Sequence, residues 1–154
     1  KELYELFRDL GEEKYSWRLA NALVSAREVG QVTGIQTTKD LADLVERVYR
    51  KVGNRDSKIH PATRIFQALR IAVNDELGAL LEGLSGVKEA VEKNGRIVVI
   101  SFHSLEDRIV KNTFKQWKFV GLGEILTKKP VVPSDQEIVE NPRSRSAKMR
   151  VFKL

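Results

Sequence analysis

The stretch Gly95-Arg96-Ile97-Val98-Val99-Ile100-Ser101-Phe102-His103-Ser104-Leu105-Glu106-Asp107-Arg108 constrains the fold more than any other. The turn pair Asn94-Gly95 leads into an unbroken run of β-formers, Ile97 to Ile100. Such a run, with no polar alternation, predicts a strand covered on both faces, as in a parallel sheet. The polar switch Ser101 to Ser104 then passes straight into helical spacing at Leu105, Ile109, Val110 and Phe114. A strand that turns into a helix is half of a βα unit, and in such sheets ligands bind outside the carboxyl ends of the strands. The expected fold class is therefore α/β, with Ser101, Phe102, His103 and Ser104 where an α/β enzyme places its site. A second reading gives His103 and Ser104 only the task of starting the helix.

Upstream, the patterns are helical. Leu3, Leu6, Phe7 and Leu10 follow helical spacing up to Gly11. Glu12-Glu13 are expected at the start of a second helix, where carboxylates suit the dipole. Its apolar stripe is Trp17, Leu19, Ala20, Leu23, Val24 and Ala26, and Trp17 is read as core rather than as a stacking platform. Val29 to Gln36 reads as a loop. Thr37 is the N-cap of a third helix that buries Leu41, Leu44, Val45 and Val48. Val52 to Ile59 is a polar connection. His60-Pro61 opens the longest helical pattern, which continues through Asn74-Asp75-Glu76 to Leu84, with a break expected between Gly83 and Gly86 and a short helix from Val87 to Lys93. His60 is read as a helix-entry residue. Beyond Phe114 come a strand at Glu124 to Lys128 with Val131-Val132, interrupted by Pro130, then a capped short helix at Ser134-Asp135-Gln136-Glu137. A basic loop, Asn141 to Ser146, precedes a last strand holding Met149, Val151 and Phe152. The shift from helices alone to mixed structure falls near Ser57 to Pro61 and predicts two domains, 1–62 and 63–154.

Composition narrows the class. The chain has 154 residues, is 42% hydrophobic and 31% charged, and carries a net charge of +6. Those values fit a globular protein, and the basic balance favours a polyanionic partner such as nucleic acid. No apolar run reaches the ~18 residues of a membrane span. Without cysteine, and with two histidines far apart, no metal site is expected. The composition is compatible with the cytoplasm. Lys1 falls inside a helical pattern, so the chain reads as one cut from something longer.

Three segments carry a resemblance. His60-Pro61-Ala62-Thr63-Arg64-Ile65-Phe66-Gln67-Ala68-Leu69-Arg70-Ile71-Ala72-Val73-Asn74-Asp75-Glu76-Leu77 closely resembles a signature of the bacterial small-subunit ribosomal RNA cytosine-N4 methyltransferases, the MraW or methyltransferase H family. Gly95 to Lys111, with its Ser-Phe-His-Ser-Leu-Glu-Asp-Arg core, resembles a second signature, and Glu140-Asn141-Pro142-Arg143-Ser144-Arg145-Ser146 a third. Gly11-Glu12-Glu13 before a basic helix also fits. The match spans nearly the whole chain. It implies the C-terminal part of a Rossmann-like methyltransferase sheet, preceded by most of a small all-helical insert. It implies S-adenosyl-L-methionine as cofactor, small-subunit ribosomal RNA as partner, and a cytidine of the decoding region as target. The family's glycine-rich loop, ribose-binding acid and Asp-Leu-Gly segment have no counterpart here. No cofactor-binding residue can therefore be carried over, and this chain alone is expected to be inactive.

Methyl transfer to an exocyclic amine needs positioning, because the sulfonium is already activated. The N4 lone pair is delocalised into the ring, so an acceptor beside the amine would orient it and take its proton. The Asn/Asp-Pro-Pro-aromatic motif that many amino-methyltransferases use for this is absent. Ser101, His103 and Ser104 are the candidate catalytic contacts to the base. Phe102 is read as packing rather than stacking, and Glu106 and Asp107 as first-turn helix residues rather than general bases. Arg18, Arg27, Lys58, Arg64, Arg143 and Arg145 are candidates for the RNA backbone. Arg64 and Arg70 have an alternative, pairing with buried carboxylates. Two other functions stay open: a non-catalytic RNA-binding module or half of a split enzyme, and a helical interaction domain, which the basic balance disfavours. A homodimer is also open.

Overall fold

A computed structural model describes residues 1–28, 35–53 and 60–154. Two compact units divide the chain between Asp75 and Glu76.

The first unit, Lys1–Asp75, is helical: α1 (Glu2–Asp9), α2 (Ser16–Glu28), α3 (Thr38–Lys51) and α4 (Thr63–Asn74). Each contributes to one core, with Phe7 from α1, Leu19 and Leu23 from α2, Leu44 and Val45 from α3, and Ile65 and Ala68 from α4. α4 thus joins the first unit through Ile65 and Ala68. Thr37 caps α3 as expected: its hydroxyl accepts the Asp40 amide at 3.1 Å, and the Asp40 carboxylate accepts the Thr37 amide at 2.8 Å. His60 serves the entry to α4, its Nδ1 accepting the Ala62 amide at 3.2 Å.

Two expectations for this unit are corrected. Glu13 is not a first-turn residue of α2 but a buried hub ahead of it, 3% exposed. Its carboxylate accepts the Tyr49 hydroxyl at 2.7 Å and the Tyr15 amide at 2.8 Å, which is why a charged group is tolerated inside. Trp17 is not core. It is 60% exposed and meets Tyr4 edge-on, because Leu19 and Leu23 already fill the inner stripe of α2.

The second unit, Glu76–Leu154, holds α5 (Glu76–Ala90), β1 (Arg96–Ser101), α6 (Ser104–Phe119), β2 (Glu124–Ile125), α7 (Asp135–Glu140), a short 3-10 turn (Pro142–Ser146) and β3 (Lys148–Lys153). The sheet order is β1-β3-β2, antiparallel throughout, with Ile97 opposite Phe152 and Ile125 also opposite Phe152. α5 and α6 pack on one face of this sheet, where Leu84, Val110, Phe114 and Trp117 meet Ile97 and Phe152.

The mixed α/β class therefore holds, but β1 differs from expectation. Its neighbour among the described strands is antiparallel, and only one face is covered. Ile97 and Ser101 are buried while Val98 and Ile100 are each 54% exposed. The Ile/Val run carries no polar marker of its outer face, so the one-sided cover was not readable. The break expected at Gly83 to Gly86 is also corrected: α5 runs through both glycines to Ala90. The helix stops instead at Asp75, whose left-handed φ of 47° separates α4 from α5. β2 is shorter than expected, and Val131 makes a single bridge to Met149. Ser134 caps α7, accepting the Glu137 amide at 3.1 Å.

Candidate functional site

β1 ends at Ser101 and α6 begins at Ser104, so Phe102 and His103 form the whole connection. His103 is extended, with φ −141° and ψ 168°, and acts as N-cap. Its Nδ1 accepts the Glu106 amide at 3.3 Å, while the Glu106 carboxylate accepts the amides of Phe102 at 2.8 Å and His103 at 3.2 Å. This is a capping box in which imidazole replaces the usual hydroxyl. The helix-start reading of His103 is thus met, and so is that of Glu106.

The cap has a chemical consequence. A ring nitrogen that accepts an amide hydrogen carries a lone pair, so in the neutral ring the proton sits on Nε2. Nε2 is buried and has no hydrogen-bond partner among the described residues. The side chain is 8% exposed, and Glu106 Oε1 lies 3.4 Å from Nε2 without the alignment of a hydrogen bond. Glu76, at the start of α5, brings a carboxylate oxygen so that it, the histidine nitrogen and a Glu106 oxygen all lie within 4.8 Å of one another. A cation there would need the Nε2 lone pair, which the cap on Nδ1 opposes. The geometry suits an N–H donor facing two carboxylates better than a metal centre. Glu76 had been read as helix continuation, and only the break at Asp75 shows that it starts a new element.

The neighbouring candidates are placed as follows. Ser101 is buried, and its hydroxyl donates to the Lys148 carbonyl at 3.3 Å, which closes the β1–β3 ladder. Ser104 is exposed in the first turn of α6. Phe102 is 52% exposed and belongs to neither core, which corrects the packing reading; its ring faces outward because the chain turns there. Asp107 is a structural anion, as expected, although its partner was not foreseen. Arg150 of β3 donates to it through Nε at 2.6 Å and Nη2 at 3.1 Å. That hydrogen-bonded pair, with further attraction from Arg150 and Lys148, holds the Asp107 carboxyl below the usual carboxylate range despite burial. The fork pins the first turn of α6 onto β3.

The basic candidates divide between the two units. Arg18 lines a recess of about 240 Å³ on the first unit with Ala22, Val48, Lys51 and Val52. Arg27 is exposed in the last turn of α2. Arg64 donates to the Glu12 backbone carbonyl at 3.1 Å. Arg143 and Arg145 are exposed in the 3-10 turn of the second unit. Lys58 lies outside the described residues.

Gly95 packs against Val91 and Glu92, and a Cβ at Gly123 would run into the Lys153 carbonyl, whereas Gly83, Gly86 and Gly121 face open space. The amides at the end of β1 are already taken by Glu106.

The chain is 54% identical over 151 residues to the ribosomal RNA small subunit methyltransferase H of Sulfurihydrogenibium sp. (strain YO3AOP1), covering 98% of this chain and 50% of that protein. It is 52% identical over 152 residues to the protein of the same name from Persephonella marina, covering 99% and 50%. Identity to that of Rhodopirellula baltica is 49% over 157 residues, covering 99% and 45%. The chain thus spans about half the length of these relatives. Since the model of the MraW methylase family matches residues 1–154 from end to end, the chain belongs to that family.

Proposed function

We propose that the protein containing this chain transfers a methyl group from S-adenosyl-L-methionine to the N4 amine of a cytidine in small-subunit ribosomal RNA, in the cytoplasm. The observation that carries this reading is the family match along residues 1–154, with relatives that are named ribosomal RNA small subunit methyltransferase H. In this reading residues 1–62 belong to a helical insert and 63–154 to the C-terminal part of a Rossmann-like domain. The cofactor is held mainly by residues outside this chain. The 154 residues alone are inactive.

Within this chain, the β1–α6 connection meets the target base. His103 shapes this contact from beneath, its buried ring capping α6 through the Glu106 amide. Ser104 brings a hydroxyl to the same connection. Ser101 fixes the strand end that carries them. The outward ring of Phe102 supports stacking on the base. Arg18, Arg27, Lys58, Arg64, Arg143 and Arg145 serve the RNA backbone.

The test is methylation of small ribosomal subunits by the full-length protein, with the product nucleoside identified by mass spectrometry. N4-methylcytidine is expected from the full-length protein and none from the 154-residue chain. RNA binding without cofactor binding by the full-length protein would replace this reading with the non-catalytic module. Methyl at carbon 5 of the base would overturn the amine as target.

A further inference from the structure

The second unit carries a concentration of positive charge that the site above does not use. Lys111, Lys115 and Lys118 stand at i, i+4 and i+7 on α6, and Lys128 follows β2. The four lysines converge on a recess of about 220 Å³, whose other lining residues are Phe114, Ile125, Thr127 and Arg150. No carboxylate lines it. Arg150 is committed to Asp107, but none of the four lysines is in an ion pair among the described residues. Like charges at i and i+4 destabilise a helix by a few tenths of a kcal/mol. The acid on this face, Asp107, stands one turn before Lys111 and is held by Arg150, and no acid is interleaved from Lys111 to Lys118.

From this geometry we infer that the recess between α6 and β2 is a binding site for the sugar–phosphate backbone of the RNA substrate. The seven-residue span from Lys111 to Lys118 is about 10 Å of helix, enough to follow a few nucleotides. Lysine is a compact point charge on a flexible stem, suited to phosphates at variable positions, whereas arginine forks select fixed bidentate geometry. Such contacts set register and affinity without reading sequence. The side of the recess formed by Ile125 and the Thr127 region is apolar or neutral, so a ribose can lie against it while phosphates reach the ammonium groups. The inference rests on the ribosomal RNA reading above and adds a surface to it.

The experiment uses the full-length protein carrying K115E, K118E and K128E together. Lys111 is left in place because its charge also acts on Asp107. Affinity for a small-subunit ribosomal RNA fragment is measured across salt concentrations, and methylation is followed in parallel. Removing three phosphate contacts should lower the slope of log K against log salt by about 2, at roughly 0.7 per contact on single-stranded RNA. KM for the RNA should rise at least tenfold with kcat unchanged, and the triple Lys→Arg variant should keep most of the affinity. A K→Q triple separates lost attraction from introduced repulsion, and a thermal melt checks folding. An unchanged salt slope and KM would overturn the inference, as would inorganic phosphate binding in the recess with no effect on RNA. Should the wild-type protein fail to methylate at all, the functional reading falls, while the salt slope still decides this site.

Discussion

The two units keep buried charge by opposite means. In the first, an acid is buried against a neutral group: Glu13 accepts the Tyr49 hydroxyl inside the helical core. In the second, an acid is buried against a cation: Asp107 takes a two-pronged guanidinium from Arg150 beside an aromatic cluster. In that cluster the rings of Phe114, Trp117 and Phe152 lie 5.3–5.4 Å apart, centre to centre. The difference teaches which pH limit each unit has. Burial and the hydrogen bond to Glu13 raise the Tyr49 pKa above its usual value, so its stabilising contribution is intact below ~10 and is lost as pH rises through the raised value. The Asp107 pKa is lowered chiefly by its hydrogen bond to Arg150, so its contribution is present above ~4 and is lost as pH falls through the depressed value. The first unit should fail at the alkaline end and the second at the acid end.

Each unit holds one of the two tryptophans, Trp17 in the first and Trp117 in the second, so single Trp→Phe backgrounds give each its own fluorescence signal. The largest expected effect is that of Phe152→Ala, which empties the centre of the aromatic cluster. A loss of about 3–5 kcal/mol should abolish the Trp117 transition in a urea melt. If the Trp17 signal falls equally, the two cores are not energetically separate. Next comes Asp107→Ala, which leaves the Arg150 guanidinium buried without its partner. A loss of about 3 kcal/mol is expected at neutral pH, together with disappearance of the acid limb of the second unit's stability profile. Tyr49→Phe should cost the first unit about 1–2 kcal/mol and flatten its alkaline limb, since no hydroxyl then titrates. An alkaline limb that persists would assign that limit to another group. The smallest effect is Thr37→Ala, about 1 kcal/mol from the α3 cap, seen in the Trp17 transition alone.

How far the sequence spoke depends on the range of the interaction. Local chemistry was legible: the caps at Thr37 and Ser134 and the helix-entry role of His60 rest on bonds spanning two or three residues. The final strand and the helix after Ser104 followed from periodicity. The strand end at Ser101–Ser104 was found because a run of β-formers stops there. What failed needed knowledge of a distant partner. Glu13 is explained by Tyr49, 36 residues away, and Asp107 by Arg150, 43 residues away. The apolar stripe of α2 holds more side chains than its core can take, and spacing alone did not single out Trp17 and Val24 as the ones left outside. At Asp75 the backbone turns left-handed within Asn74-Asp75-Glu76, where each residue alone is compatible with a helix, while Gly83 and Gly86 are tolerated inside α5. Glu76 was missed for the same reason.

The one-sided pairing of β1 bears on how this chain behaves in a tube. In the order β1-β3-β2, β1 is an edge among the described strands, so its far side offers a row of amide and carbonyl groups to a passing strand. Val98 and Ile100 project from that edge strand, and the charges beside them, Arg96 and Lys148, sit at its ends. Short, flat and greasy at mid-length, it is a template for intermolecular strand addition. A 154-residue preparation should therefore cloud and form thioflavin-positive material as its concentration rises, and a single lysine at Val98 should keep it clear.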